Sequence, residues 1–281
     1  MVVRELNVGV VTETVARLCV EACRELGADV RALLEKARNE EESAFGCFIL
    51  DQVLANLAVA AREQLPICQD TGICVVFLEI GQDLHLTGGD LEEAVNAGVR
   101  RGYQEGYLRK SVLSPLTRVN TQDNTPAVIH TRIVPGDRLK VTVAPKGAGS
   151  ENMSRLQMLK PADGIEGVKR FVLETVAAAG GCACPPLIVG VGIGGTMEKA
   201  ALLAKKALIR PAGTTSAEPA VAALEAELLA LINQTGIGPQ GLGGKVTALA
   251  VHIETYPTHI AALPVAVNLQ CHVARHRSAI L

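Results

Sequence analysis

The stretch that decides the fold is Leu65-Pro-Ile-Cys-Gln-Asp-Thr-Gly-Ile-Cys-Val-Val-Phe-Leu-Glu-Ile-Gly81, where the pattern changes from helix to strand. Residues 74–80 have the composition of a strand, with glycines at both ends. Before this stretch, apolar residues recur at helical spacing, which predicts a helical lead-in over about residues 1–64. Asp29 and Ser43 are predicted to cap its second and third helices.

After residue 81, predicted helices and strands follow one another without a Ser/Gly-rich linker or an internal repeat. Helices are predicted over residues 91–112, 165–179, 197–209 and 220–232, and strands over 127–133, 138–143, 187–191 and 246–253. Pro135-Gly136-Asp137 predicts a hairpin-like break between two of the strands. We therefore expect residues 1–281 to form a single compact α+β domain, with a helical N-terminal segment followed by a mixed sheet with packed helices.

Composition narrows the class of protein. The chain has 281 residues, is 48% hydrophobic and carries a formal net charge of −2, with only one short basic group at Arg275, His276 and Arg277. Aromatic residues make up 2% and Trp is absent, so nucleic acid is not an expected partner. The sequence has neither a signal-peptide pattern nor a run of eighteen apolar residues. A cytoplasmic location without membrane attachment is the expectation.

The cysteines divide into two groups by their surroundings. The chain has eight of them and no export pattern, which disfavours disulfides. The cysteines of the helical lead-in are predicted to be core residues, and so is Cys74 at the start of a strand. Cys68, Cys184 and Cys271 lie in predicted loops that are far apart in sequence. They are either ligands that converge on an iron–sulfur cluster or three buried thiols.

Two glycine-rich stretches raise other hypotheses. Gly190-Val-Gly-Ile-Gly-Gly195 matches a dinucleotide-binding fingerprint, which would make the chain a nicotinamide-dependent oxidoreductase. The acidic strand end that this fingerprint requires is replaced by a loop at residues 210–218, which disfavours the hypothesis. Residues 236–245 resemble a phosphate loop, but Val246 stands where Ser or Thr is required, so that interpretation fails.

Several motifs together carry a family resemblance that covers essentially the full length. They are Pro66-Ile-Cys-Gln-Asp-Thr-Gly72, Asn124-Thr-Pro126, Lys146-Gly-Ala-Gly-Ser-Glu-Asn152, Cys184-Pro-Pro186, Gly192-Ile-Gly-Gly-Thr196, His259 and Asn268-Leu-Gln-Cys-His272. With these in this order, the chain resembles the α subunit of the class I fumarate hydratase and L(+)-tartrate dehydratase family. The resemblance implies a [4Fe–4S] cluster bound by Cys68, Cys184 and Cys271, whose fourth iron keeps an open position and acts as a Lewis acid. Cys182 ranks below Cys184 because the Cys-Pro-Pro string carries the match.

The same resemblance implies the residues of the substrate pocket. Gln69 and Asp70 would be catalytic residues in the pocket, with Asp70 in proton transfer and Gln69 also binding substrate. His259 would be a further catalytic residue that donates a hydrogen bond to the substrate, and Arg109 would pair with a carboxylate. The loop that begins at Gly147 would supply backbone N–H donors to the same anion.

The resemblance also implies a partner. Single-chain members of the family carry a second half that contributes further substrate-binding and acid–base groups, so we expect a separate β subunit and an α2β2 assembly. The implied reaction is reversible dehydration of L-malate to fumarate, with L(+)-tartrate as the alternative C4-dicarboxylate substrate. A non-catalytic iron–sulfur module is the hypothesis from a different class of protein.

Overall fold

A computed structural model describes residues 3–281 of the chain. The residues divide into two compact units, the first of residues 3–26, 57–148 and 275–281 and the second of Gly27–Asn56 and Gly149–Ala274. Contacts inside each unit define this division, and the single-domain organisation of residues 1–281 stays a prediction. The mixture of helices and mixed sheets confirms the α+β class.

The helices and strands have the following bounds. The α-helices are α1 Val8–Arg24, α2 Ala28–Glu40, α3 Ala44–Glu63, α4 Leu91–Glu105, α5 Ala148–Asn152, α6 Gly164–Ala179, α7 Met197–Ala207 and α8 Pro219–Asn233. The strands are β1 Arg4–Asn7, β2 Ile73–Gly81, β3 Leu84–Thr87, β4 Val128–Val134, β5 Leu139–Lys146, β6 Arg155–Leu159, β7 Leu187–Gly194, β8 Ala248–Tyr256, β9 Leu263–Gln270 and β10 Arg277–Ile280.

The first unit is built on a four-stranded sheet in the order β10-β5-β2-β4. The predicted strand β2 is central, antiparallel to β5 and parallel to β4. Apolar residues of β2 and β5 form one buried cluster with α1 and α4. The sequence therefore located the strand that organises this sheet.

The predicted hairpin between β4 and β5 is wrong. These strands do not pair with each other, because β2 lies between them and pairs with both. The connection passes over the end of β2, where a Cβ on Gly81 would lie 2.4 Å from the carbonyl oxygen of Gly136. Only glycine leaves room for the chain to cross there.

The helical lead-in is confirmed in outline and corrected in detail. The α1–α3 helices follow the short strand β1, and the Ser43 Oγ accepts a hydrogen bond from the Gly46 N–H at the start of α3. Asp29 does not cap α2: the cap position is Gly27, and an Asp29 carboxylate oxygen accepts from the Ala212 N–H at 2.7 Å. Farther along, the helix predicted to reach residue 112 ends at Glu105.

The second unit is built on another four-stranded sheet, in the order β6-β9-β7-β8. The β7 strand is parallel to β8 and antiparallel to β9, and the apolar residues of these strands pack with α6 and α8. The β9 strand is not among the strands predicted from the sequence, and Cys271 follows directly after it.

The Gly190–Gly195 fingerprint lies mostly inside β7, not in a turn between a strand and a helix. A Cβ on Gly190 would lie 2.3 Å from the Ala204 carbonyl oxygen, and one on Gly192 would lie 2.1 Å from that of Ala200. Both carbonyls belong to α7, so these glycines allow close packing of a helix on the strand. The structure thus removes the basis for the dinucleotide hypothesis.

One helix among the described residues, α3, is long and apolar enough to cross a membrane by length and composition alone. Its most apolar window has a mean hydropathy of 1.7, and 28% of that window is buried. The same test is passed by core helices of soluble proteins, so this is weak evidence for a membrane span.

Candidate active-site residues

In the first unit, the loop between α3 and β2 carries three of the predicted site residues. The Cys68 side chain is partly exposed, and its Sγ lies 3.3 Å from Gln69 Oε1. The Gln69 side chain is exposed, and Asp70 is partly buried. The thiol, the amide and the carboxylate therefore lie on consecutive residues of one short loop.

The Asp70 carboxylate is oriented by two backbone donors. The Gly72 N–H donates to Oδ1 at 3.0 Å, and the Ala148 N–H donates to Oδ2 at 2.8 Å. A Cβ on Gly147 would lie 3.1 Å from Oδ2, so the absence of a side chain lets the two loops approach. Each carboxylate oxygen keeps a further lone pair for a proton or a substrate.

Buried side chains support this loop by binding its carbonyl oxygens. The fully buried Tyr103 hydroxyl donates to the carbonyls of Thr71 and Gly72 at 2.8 and 3.1 Å. Asn124 Nδ2 donates to the Gly72 carbonyl at 3.2 Å. Burial raises the pKa of Tyr103 well above its ordinary value, so the hydroxyl keeps its proton. Sequence analysis missed Tyr103 because nothing in its surroundings marks it apart from an ordinary core residue.

Arg109 is connected to the same loop through its main chain. The Thr71 hydroxyl donates to the Arg109 carbonyl at 3.1 Å, while the Arg109 side chain is exposed. The structure thus brings together the loop of residues 68–72, Arg109 and Gly147 within the first unit. The guanidinium remains available to a ligand that arrives from solvent.

In the second unit, Cys184 and Cys271 lie in neighbouring loops at one end of the sheet. The β7 and β9 strands are antiparallel, with Ile188 opposite Gln270, so the segment before β7 meets the segment after β9. The His272 N–H lies 3.4 Å from the Cys184 carbonyl oxygen. Both thiols are partly exposed, and Cys184 adopts a left-handed conformation with φ of 56°.

Gln240 links these two cysteine loops. Its Nε2 donates to the Pro185 carbonyl at 2.8 Å and lies 3.2 Å from Nδ1 of His272. Its own backbone N–H also donates to the Pro185 carbonyl, at 2.8 Å. One side chain therefore holds the residue after Cys184 and the residue after Cys271. The sequence analysis placed Gln240 in a failed phosphate loop and assigned it no role.

His259 lies at the other end of the same sheet. It is exposed in the connection between β8 and β9, and its Nδ1 accepts from the Ala261 N–H at 3.1 Å. The eight residues of β9 separate this connection from Cys271, a span of about 26 Å at the usual rise per strand residue. The structure does not bring His259 to Cys271 of its own chain.

The comparisons with known proteins agree with the motifs. Residues 12–280 match the family model described as "Fumarate hydratase (Fumerase)". The chain belongs to the fumarate hydratase family. This confirms the resemblance, and it makes the chain a member of a hydro-lyase family.

Two relatives show the range of similarity within the fumarate hydratase family. A Methanocaldococcus jannaschii protein named "Putative L(+)-tartrate dehydratase subunit alpha" is 45% identical over 271 residues, which cover 94% of this chain and 95% of that protein. The Escherichia coli K12 protein named "L(+)-tartrate dehydratase subunit alpha" is 33% identical over 276 residues, which cover 97% of this chain and 91% of that protein.

The other cysteines of this fumarate hydratase family member differ from the proposed ligands in their solvent exposure. Cys19, Cys23 and Cys74 are fully buried, as predicted. A contact with Cys74, together with burial, raises the pKa of Cys19, and burial raises that of Cys23 to about 11. The Cys19 and Cys23 thiols therefore stay protonated at neutral pH, which suits core packing and not metal binding. Cys182 is exposed, and Cys47 is partly buried on α3.

The chemistry of the partly exposed thiols fits an iron–sulfur cluster, which binds cysteine thiolates. Cys184 and Cys271 lie in neighbouring loops of the second unit, and Cys68 is partly exposed in the first. Within residues 3–281, no three His, Cys, Asp or Glu side chains form a group that could hold a metal ion. The fit therefore rests on the accessibility of the thiols and on the one neighbouring pair.

Proposed function

We propose that this chain is the α subunit of a [4Fe–4S]-dependent hydro-lyase that interconverts L-malate and fumarate and needs a separate β subunit. The observation that carries the proposal is the loop of residues 68–72. It presents Cys68 beside an Asp70 carboxylate whose two oxygens are fixed by backbone donors. Membership of the fumarate hydratase family supports the reaction class.

Cys68, Cys184 and Cys271 are proposed to bind the cluster. When bound, a cluster with three cysteine ligands supplies an open iron position with Lewis-acid character toward the substrate hydroxyl and a carboxylate. No electron transfer is needed, because dehydration of L-malate yields fumarate and water.

The chain's own residues bind the substrate and move one proton. Asp70 carries one of the two proton transfers of the reaction, and an acid–base group of the β subunit is proposed to carry the other, so that the carbon-bound proton is accepted and the hydroxyl leaves as water. The fixed carboxylate of Asp70 needs little reorganisation for its step. Gln69 and Arg109 bind the substrate, with the Arg109 guanidinium suited to a bidentate contact with a carboxylate. The backbone at Gly147 lines the same side of the loop.

His259 is proposed to contact the substrate of a second copy of the chain. The length of β9 keeps it away from Cys271 of its own chain. A role in substrate binding therefore fits the proposed α2β2 assembly, in which another α chain lies close enough to supply it.

The β subunit is proposed because the relatives are named as alpha subunits and this chain aligns over nearly all of their length. Their names also favour the second candidate, an L(+)-tartrate dehydratase that converts L(+)-tartrate to oxaloacetate and water. The two substrates differ by one hydroxyl, so a few pocket groups decide between them.

Anaerobic reconstitution with iron and sulfide tests the proposal. We expect about four irons per chain, lost in Cys68→Ala, Cys184→Ala and Cys271→Ala but kept in the control variants Cys74→Ala and Cys182→Ala. Turnover of L-malate and of L(+)-tartrate is then measured with and without the β subunit. Iron binding without turnover of either substrate by the αβ pair would leave the non-catalytic iron–sulfur module as the better description.

A further inference from the structure

Arg275 is a buried arginine that the roles above do not use. It lies just before β10 in the first unit, and 5% of its surface is exposed. Arginine is rarely buried to this extent unless its charge is compensated, because removing a guanidinium from water is costly. Its placement therefore calls for a reason specific to this part of the molecule.

The guanidinium binds the main chain of two segments next to proposed site residues, the Asp70 loop and the end of β5 before Gly147. Its Nη2 donates to the main-chain carbonyl of Asp70, and its Nε donates to the carbonyl of Pro145 at 3.3 Å. A Cβ on Gly147 would lie 3.9 Å from Nη2 and 3.1 Å from the Asp70 carboxylate. The side chain thus lies where the Asp70 loop meets the C-terminal end of β5 and Gly147.

Within residues 3–281, the Nη1 end of the guanidinium has no hydrogen-bond partner. Among the described residues, its donated hydrogen bonds end on carbonyl oxygens, and Nη1 is buried without a partner. A guanidinium whose hydrogen bonds end on carbonyls is suited to hold main chain in place, and it keeps a positive charge close to the Asp70 loop. An anionic substrate would be favoured next to such a charge.

We propose that Arg275 is a positioning residue that holds the main chain of Asp70 against the C-terminal end of β5 and Gly147. In that position the Asp70 carboxylate keeps both of its backbone donors, Gly72 and Ala148. The side chain also brings one positive charge to a site that takes a dicarboxylate. The catalytic meaning of this role rests on the proposed function. The effect of Arg275 on the position of the Asp70 main chain does not.

Lysine cannot reproduce this contact. The planar guanidinium presents Nε and Nη2 in a fixed fork that reaches two carbonyls at once. An ammonium group is a single point from which both carbonyls are harder to reach. Arg275→Lys therefore keeps the positive charge but removes the forked geometry of the two hydrogen bonds.

Hydrogen–deuterium exchange of the cluster-free full-length chain tests the positioning role directly. In Arg275→Gln, the Gly72 and Ala148 amides should exchange about tenfold faster, because the carboxylate that accepts both is no longer held. Arg275→Lys should show a smaller rise in the exchange rate of the same two amides. If the Gln variant does not fold, the Lys variant tests the proposal in its place. Arg277→Gln is the matched control, since the Arg277 guanidinium binds Glu25 instead.

Two results would overturn the proposal. One is unchanged exchange at both amides in the two Arg275 variants. The other is an equal rise throughout β7–β9 of the second unit, which would make Arg275 a residue of general stability.

In the reconstituted αβ enzyme, Arg275→Gln should lower kcat at least tenfold while iron per chain stays at the wild-type value. If the wild-type pair shows no hydro-lyase activity, the proposed function fails, and the exchange experiment still decides whether Arg275 holds the loop.

Discussion

The two units hold their proposed cluster ligands in different ways. In the first unit, the three consecutive carbonyls of residues 70–72 accept hydrogen bonds from the side chains of Arg275, Tyr103 and Asn124. In the second, Cys184 and Cys271 are placed by the pairing of β7 with β9. The loop around Cys68 therefore depends on individual side chains, and the other pair depends on the sheet.

This difference predicts where the site tolerates substitution. A side chain that binds a loop carbonyl can be replaced without disturbing strand pairing, so its loss should change the site more than the fold. A change that shifts β7 against β9 must move two cysteines at once. The comparison can be tested by substitutions in each unit.

The largest effect is expected for Asp70→Asn in the first unit. Loss of the proton-transfer group should lower kcat by about 10²–10⁴-fold. The new amide NH₂ would also face one of the two backbone donors, because both carboxylate oxygens accept an N–H. Steady-state kinetics and iron content of the αβ enzyme are the measurements. Asp83→Asn, at an exposed position, is the control. If Asp70→Asn keeps a kcat within twofold of wild type, Asp70 is excluded from proton transfer.

The next effect concerns the loop that carries Gln240 in the second unit. Glu41 anchors it, since its buried carboxylate accepts the N–H groups of Lys245 and Val246 at 2.9 Å. Burial opposes ionisation, but the backbone donors outweigh it and lower the pKa of Glu41. Glu41→Gln should reduce the free energy of unfolding at pH 7 by about 2–3 kcal/mol.

The sign of the pH dependence follows from the lowered pKa. A carboxyl whose pKa is lower in the folded state stabilises above its unfolded value, about 4.3 for Glu, and this contribution is lost as the pH falls through the folded pKa. The difference in free energy of unfolding between wild type and Glu41→Gln, measured by urea unfolding, should therefore narrow below about pH 4.3. Glu42→Gln, at the exposed neighbouring position, is the control and should have nearly the same free energy of unfolding as wild type. A difference between wild type and Glu41→Gln that stays constant from pH 7 to pH 3 would contradict the assignment.

A smaller effect is expected for Tyr103→Phe in the first unit. The change removes only the hydroxyl, which leaves the carbonyls of Thr71 and Gly72 without that donor. We expect a loss of about 1–2 kcal/mol in the free energy of unfolding and a lower kcat at normal iron content. Tyr107→Phe is the matched control, because the Tyr107 side chain is 90% exposed. Equal effects of the two substitutions would mean that the hydroxyl does not support the loop.

The smallest effect is expected for Gln240→Leu in the second unit. Strand pairing continues to place the two cysteines, so the lost amide should only raise the rate of iron loss to a chelator, by about three- to tenfold. Gln234→Leu, at an exposed position, is the control. Complete loss of iron binding would show that the amide, and not the sheet, sets the cysteine geometry.

Local patterns predicted the elements that local physics determines. Helical periodicity located α1, α6, α7 and α8, and strand composition located β2. The β9 strand was missed because Pro264 lacks an N–H and argues against a central strand. The false hairpin arose because local sequence does not show that β2 inserts between β4 and β5.

The candidate site was predictable only where reactive side chains form a recognisable string. Cys68, Gln69 and Asp70 were found in this way. Tyr103, Gln240 and Arg275 act by donating to carbonyls of residues distant in sequence, and any residue supplies a carbonyl. Such partnerships leave no spacing pattern, so only the fold shows them.

The β10 strand has a consequence for the order of events during synthesis. It pairs with β5, which lies more than a hundred residues earlier, and it follows directly after Arg275. The ribosome releases residues 275–280 after the whole second unit, so the Asp70 loop gains its guanidinium only after that unit has been synthesised. The Asp70 loop is then completed after the second unit, and a nascent chain stalled before residue 275 should leave this loop open to protease while β7–β9 are already protected.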